Sequence, residues 1–118
     1  MTHPLRIVIA DDEAEIREYF RRLLSRLGHA VVAEATIGQE LVDACGREHP
    51  DLVITDFMML GMDGLTAAAE ISKSSDVPIV VVSAHDPPQD QLDSVAEFLV
   101  KPIAMADLEA AIDRAVAN

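Results

Sequence analysis

Strand-sized apolar runs alternate with helix-spaced segments from one end of this 118-residue chain to the other. The runs are Leu5 to Ala10, Ala30 to Ala35, Leu52 to Thr55, Pro78 to Val82 and Glu97 to Val100. After the first, Ile16, Phe20, Leu23, Leu24 and Leu27 recur at helical spacing, and Gly28 suits the left-handed residue that ends a helix. Leu41, Val42 and Cys45 mark a second helix that stops before Pro50, and Leu65 to Ser72 a third. Met105, Leu108, Ile112, Ala115 and Val116 give a closing amphipathic helix. Behind the loop His85-Asp86-Pro87-Pro88, only about Gln89 to Ala96 is left for a fourth helix, which is expected to be short. Apolar strands joined by helical crossovers imply a parallel sheet covered on both faces. Right-handed crossovers leave few topologies, and the favoured one is α/β, a flavodoxin-like doubly wound five-stranded sheet in the order 2-1-3-4-5. One domain over residues 1–118 is expected, since the chain is too short for two cores.

What stands at the strand ends narrows the chemistry. The first strand runs into Asp11 and Asp12, the third into Asp56, the fourth into Ser83 and the fifth into Lys101. Open α/β sheets bind ligands beyond the C-terminal strand ends at the switch point, here between the first and third strands. Three carboxylates gathered there repel one another unless something positive sits among them, and a hard divalent cation such as magnesium suits oxygen ligands. Asp12 and Asp56 are expected to bind the ion directly and Asp11 through water, with the carbonyl of Met58 as a further ligand. Capping the first helix would account for one carboxylate, not for a third from a distant strand. An aspartate can attack phosphorus once the incoming charge is neutralised, and the loose transition state asks mainly for positioning and counter-charge. Asp56 is the candidate nucleophile, Lys101 supplies a mobile point charge and Ser83 a hydroxyl donor.

Composition excludes several alternatives. Nine basic residues against 21 acidic ones give a formal charge of −12, which repels nucleic acid and acidic membrane surfaces alike. The apolar runs fall well short of the roughly 20 residues of a membrane span, and Met1-Thr2-His3-Pro4 has no signal-peptide pattern, so a cytoplasmic location is expected. The single cysteine, Cys45, fits a reducing compartment and reads as a small buried thiol. His3, His29 and His49 have no metal-ligand spacing, His85 reads as an exposed loop residue, and the five methionines read as core filler.

At these residues the sequence resembles the receiver domains of two-component response regulators. The motifs are Asp11-Asp12, Asp56, the loop Met59-Leu60-Gly61-Met62-Asp63-Gly64, Ser83-Ala84 and Lys101-Pro102, in order and each at its strand end. The resemblance implies that Asp56 accepts a phosphoryl group from the phosphohistidine of a sensor histidine kinase or phosphotransfer protein, with magnesium as cofactor. It implies that Ser83 then moves toward the phosphate and Phe98, three residues before the lysine, repacks inward. The face made by the fourth helix, fifth strand and closing helix would carry the signal to a downstream partner or output domain. A cis Lys101-Pro102 bond is also implied. The chain departs from the family pattern at Leu60, where proline is usual, and in a segment before Phe98 that is shorter by about one helical turn, ~4 residues. That shortened stretch, Ala84 to Ala96, is expected to be the most mobile part of the unphosphorylated protein.

Other functions fit less well. A magnesium-dependent phosphohydrolase with Asp56 as nucleophile would want an acid or base two residues later, where Met58 stands. A flavin carrier would want backbone donors after the first strand, where Asp11-Asp12-Glu13 is electrostatically wrong. A degenerate receiver acting only as a binding module would not need all five functional side chains. The expectation is therefore a signalling switch and not an enzyme.

Overall fold

A computed structural model describes residues 4–86 and 92–117. It contains β1 (Arg6–Ala10), α1 (Ala14–Arg26), β2 (Ala30–Ala35), α2 (Gly38–Glu48), β3 (Leu52–Asp56), α3 (Gly64–Ser72), β4 (Ile79–Ser83), β5 (Glu97–Val100) and α4 (Met105–Val116). The strands form one sheet in the order β2-β1-β3-β4-β5, with every pair parallel. This is the doubly wound topology expected from the alternation of runs.

The two-residue period of the strands sorts the core into two layers. Val8, Ala10, Val53, Ile79 and Val81 face α2 and α3, meeting Leu41, Ala44, Leu65, Ala68 and Ile71. Ile7, Ile9, Leu52, Ile54, Val80 and Val82 take the opposite side and pack with Phe20, Leu23, Leu24, Leu108 and Ile112 of α1 and α4. Central strands covered on both faces must be apolar at nearly every position, and β3 and β4 are buried throughout. Gly28 follows α1 with φ +89°, the left-handed conformation its place after the helix called for. Cys45 is buried in the α2 layer, and burial pushes its thiol pKa up to about 11, so it is an inert core residue.

Only part of the expected fourth helix, about Gln89 to Ala96, lies within the described residues. Residues 87–91 lie outside the described residues, and the described remainder, Leu92 to Ala96, forms a turn. Val95 N–H bonds to the Leu92 carbonyl, and Ala96 N–H already reaches across to Ile79 of β4 at 2.8 Å, so the backbone here is already directed into β5. The five described residues, with few apolar anchors, do not repay helix nucleation. Of the stretch expected to be mobile, Ala84 and His85 form a bend, and the part within 87–91 is outside the described residues. The last helix, Met105–Val116, has the bounds its apolar spacing predicts.

Candidate phosphoacceptor site

Parallel strands β1 and β3 are neighbours in the sheet, so their C-terminal ends deliver carboxylates to the same edge. Asp11, Asp12 and Asp56 each present an oxygen within 4.8 Å of the others. Asp11 and Asp56 are buried and Asp12 is exposed, which puts one open side on the cluster. From the end of β5, Lys101 Nζ stands 3.1 Å from Asp56 Oδ1 and 3.6 Å from Asp11 Oδ2.

Asp11 is the least satisfied member. One oxygen, Oδ1, accepts the Glu13 N–H at 2.9 Å, while Oδ2 is buried with no hydrogen-bond partner among the described residues. Burial pushes the Asp11 pKa up to about 6; the Glu13 bond and the Lys101 charge oppose the rise, and the Asp56 and Asp12 charges add to it. Lys101 is partly buried, which works against its charge, yet its hydrogen bond to Asp56 and the charges of Asp56 and Asp11 lift its pKa above the ordinary lysine value. An unsatisfied buried carboxylate oxygen beside two more carboxylates is a donor set that fits a hard divalent cation.

The loop after β3 is held by tight backbone packing. Asp63 caps α3, its carboxylate accepting the Thr66 N–H at 2.7 Å. Gly64 N–H bonds to the Phe57 carbonyl at 2.7 Å, and a Cβ on Gly64 would run into the Asp56 carbonyl oxygen. Gly38 at the start of α2 likewise lets Met62 pass close, because a Cβ there would lie 2.6 Å from the Met62 Cβ. In that loop Met59 is buried, but Met58 is 62 % exposed and so is not core filler. Leu60, in place of a proline, is 75 % exposed.

Ser83 ends β4 and is buried; its Oγ accepts the His85 N–H at 3.1 Å, and its carbonyl accepts the Lys101 N–H at 2.7 Å. The His85 side chain is exposed. Phe98 in β5 is half-buried, its ring tilted against Phe57 at a centroid distance of 6.4 Å. Lys101-Pro102 is cis, as the resemblance implies. Thus Asp11, Asp12, Asp56 and Lys101 come together as one group, Ser83 ends the strand between β3 and β5, Met58 stands two residues past Asp56 with its side chain exposed, and Phe98 stands in β5 three residues before Lys101.

Sequence reading missed the residues that brace this group. Arg17, from α1, donates to the Asp11 carbonyl at 2.8 Å and pairs with Glu34 of β2 at 3.1 Å. Tyr19 of α1 donates its hydroxyl to the Ile103 carbonyl at 2.8 Å. Nothing but helical phase distinguishes either residue from other exposed positions of α1, and phase alone does not identify a partner on another element.

Comparison with known proteins agrees with this geometry. The family model for the response regulator receiver domain matches residues 7–113. The transcriptional regulatory protein PdtaR of Mycobacterium tuberculosis is 42 % identical over 120 aligned positions, covering 98 % of this chain and 58 % of that protein. The probable transcriptional regulator ycf27 of Porphyridium aerugineum is 37 % identical over 111 positions, covering 91 % of this chain and 46 % of that protein. The chain thus spans about half the length of the curated relatives it matches. Among solved structures, the signal receiver domain of NarL from Mycobacterium tuberculosis superposes with a TM-score of 0.87 at 31 % identity, covering 99 % of this chain and 100 % of that one. The chain belongs to the response regulator receiver domain family, a family of signalling domains.

Proposed function

We propose that this chain is a phosphoacceptor switch in which Asp56 takes a phosphoryl group from the phosphohistidine of a sensor histidine kinase or phosphotransfer protein. The observation that carries the reading is the contact of the Asp56 carboxylate with Lys101 at 3.1 Å inside a cluster of two further carboxylates. An Asp56 oxygen forms the new P–O bond as the P–N bond to the donor imidazole breaks, and the leaving imidazole takes up a proton. Lys101 neutralises charge on one phosphoryl oxygen, and the Ser83 hydroxyl donates to another. Asp11, Asp12, Asp56 and the Met58 carbonyl would hold magnesium, which supplies further counter-charge to the phosphoryl oxygens when bound. The buried Asp11 Oδ2, which accepts no hydrogen bond among the described residues, supports that set.

Movement of Ser83 toward the phosphate pulls on β4, and Phe98, paired with Val81 of that strand and already tilted against Phe57, repacks inward. The affected face is β5 with α4 and the turn before β5, and it reports to a downstream protein or an output domain. The charge of −12 argues against nucleic acid as a direct ligand of this domain. Among the described residues no helix is long and apolar enough to cross a membrane, and a cytoplasmic place is proposed with the rest.

The test is incubation with acetyl phosphate and magnesium followed by intact-mass measurement. The wild-type protein gains one phosphoryl group and Asp56→Asn gains none, because the amide is neither nucleophile nor anionic ligand. Equal labelling of the two proteins moves the acceptor elsewhere.

A further inference from the structure

Tyr19 is the chain's single tyrosine. It sits on the outer side of α1, 45 % exposed, with its ring edge against Phe20 at 5.9 Å. Its hydroxyl nonetheless reaches a defined acceptor, the Ile103 carbonyl, 84 residues away in sequence and 2.8 Å away in space. That carbonyl belongs to the short link between Lys101 and α4. The link is held at its other end by the bond from Lys101 N–H to the Ser83 carbonyl, and Ile103 itself is buried against the α1 and α4 layer. The helix bearing Tyr19 follows directly on Asp11-Asp12-Glu13. One hydrogen bond therefore joins the element behind the acidic pair to the loop that carries the ammonium.

We infer that Tyr19 is a positioning residue for Lys101, clamping the 101–104 link so that the ammonium is presented to the Asp56 and Asp11 carboxylates. A lysine ammonium rides on a flexible four-carbon stem with no directional fork, so its reach is set by where its backbone is fixed. Freeing the Ile103 carbonyl exposes it to water at little cost in stability, but lets the link drift, and small misplacements of a charge near a transferring group cost rate. The inference rests on the phosphoacceptor reading.

Tyr19→Phe keeps the ring and deletes the bond. Labelling by acetyl phosphate with saturating magnesium is followed by intact mass for wild type, Tyr19→Phe, Lys101→Ala and the double variant, with thermal melts alongside. The expected result is a several-fold lower rate at saturating acetyl phosphate for Tyr19→Phe, an unchanged half-saturating concentration and a nearly unchanged melting temperature. In the Lys101→Ala background the tyrosine substitution then has no further effect, because the group it positions is gone. A Tyr19→Phe rate equal to wild type, or the same fold loss with and without Lys101, overturns the inference while leaving the acceptor assignment standing. A wild-type protein that takes no phosphoryl group overturns the acceptor assignment and the positioning role with it.

Discussion

Asp11 is a buried carboxylate, and its pH dependence follows chiefly from that burial. Its pKa is raised from 3.8 to about 6 in the folded protein, so the native state holds the proton more tightly than the unfolded chain does. The stability this contributes is present in full below pH 3.8 and is lost as pH rises through about 6. In metal-free protein, Asp11→Asn should therefore match wild type near the acid end and become more stable than it by pH 8, by on the order of 2–3 kcal/mol. Urea denaturation of both proteins across pH, with chelator present, measures the difference. A gap that does not widen with pH contradicts the burial-driven shift. With magnesium added, wild-type affinity for the ion should weaken as pH falls below about 6, because protons then compete for the same carboxylate.

At the level of elements, the start of α3 packs directly on the backbone that ends β3. Gly64 opens α3 against the Asp56 carbonyl and the Phe57 backbone with no room for a side chain, and the neighbour is main chain that cannot rotate away. Gly64→Ala is expected to destabilise the fold by about 1–3 kcal/mol through overpacking and to slow Asp56 labelling several-fold. Gly46, on α2 with nothing within 4 Å of where its Cβ would stand, is the control: Gly46→Ala should be neutral or slightly stabilising. Denaturation midpoints and labelling rates of the two variants separate local crowding from a general effect of alanine. The missing regularity over Leu92 to Ala96 belongs to this scale too. There the Ala96 N–H is already spent on β4, so no helical bond to the Leu92 carbonyl is made by Ala96.

For the whole molecule, a formal charge of −12 means that the compact state carries net self-repulsion, and the acidic cluster adds three carboxylates with oxygens within 4.8 Å of one another. Magnesium should raise the melting temperature by several degrees beyond the effect of matched ionic strength, since a ligand at about 100 times its Kd adds ~2.7 kcal/mol. Asp12 is exposed, so its removal leaves no cavity. Asp12→Ala should abolish the magnesium-specific increment while melting no lower than wild type without metal. Thermal melts in magnesium and in matched sodium chloride decide it, and an undiminished magnesium increment would place the ion away from Asp12.

The sequence by itself determined the layers, the strand order and which polar side chains stand at one sheet edge. Strand-sized runs separated by helical phases admit little besides a doubly wound sheet, and topology then brings the ends of β1, β3, β4 and β5 to one edge. Asp11, Asp12, Asp56, Ser83 and Lys101 were legible because each stands at the end of such a run. Tertiary structure alone decided which of the acids is buried, for Asp11 and Asp12 are neighbours of the same chemistry and only packing makes one 2 % exposed and leaves the other open. It also decided the bracing by Arg17 and Tyr19, which depends on distances between α1, β2 and the link after β5 that no local pattern encodes. The same holds for the turn at Leu92 to Ala96. The short helix is expected there from the length of chain left before the fifth strand, whereas the backbone donor of Ala96 finds its partner on the neighbouring strand β4.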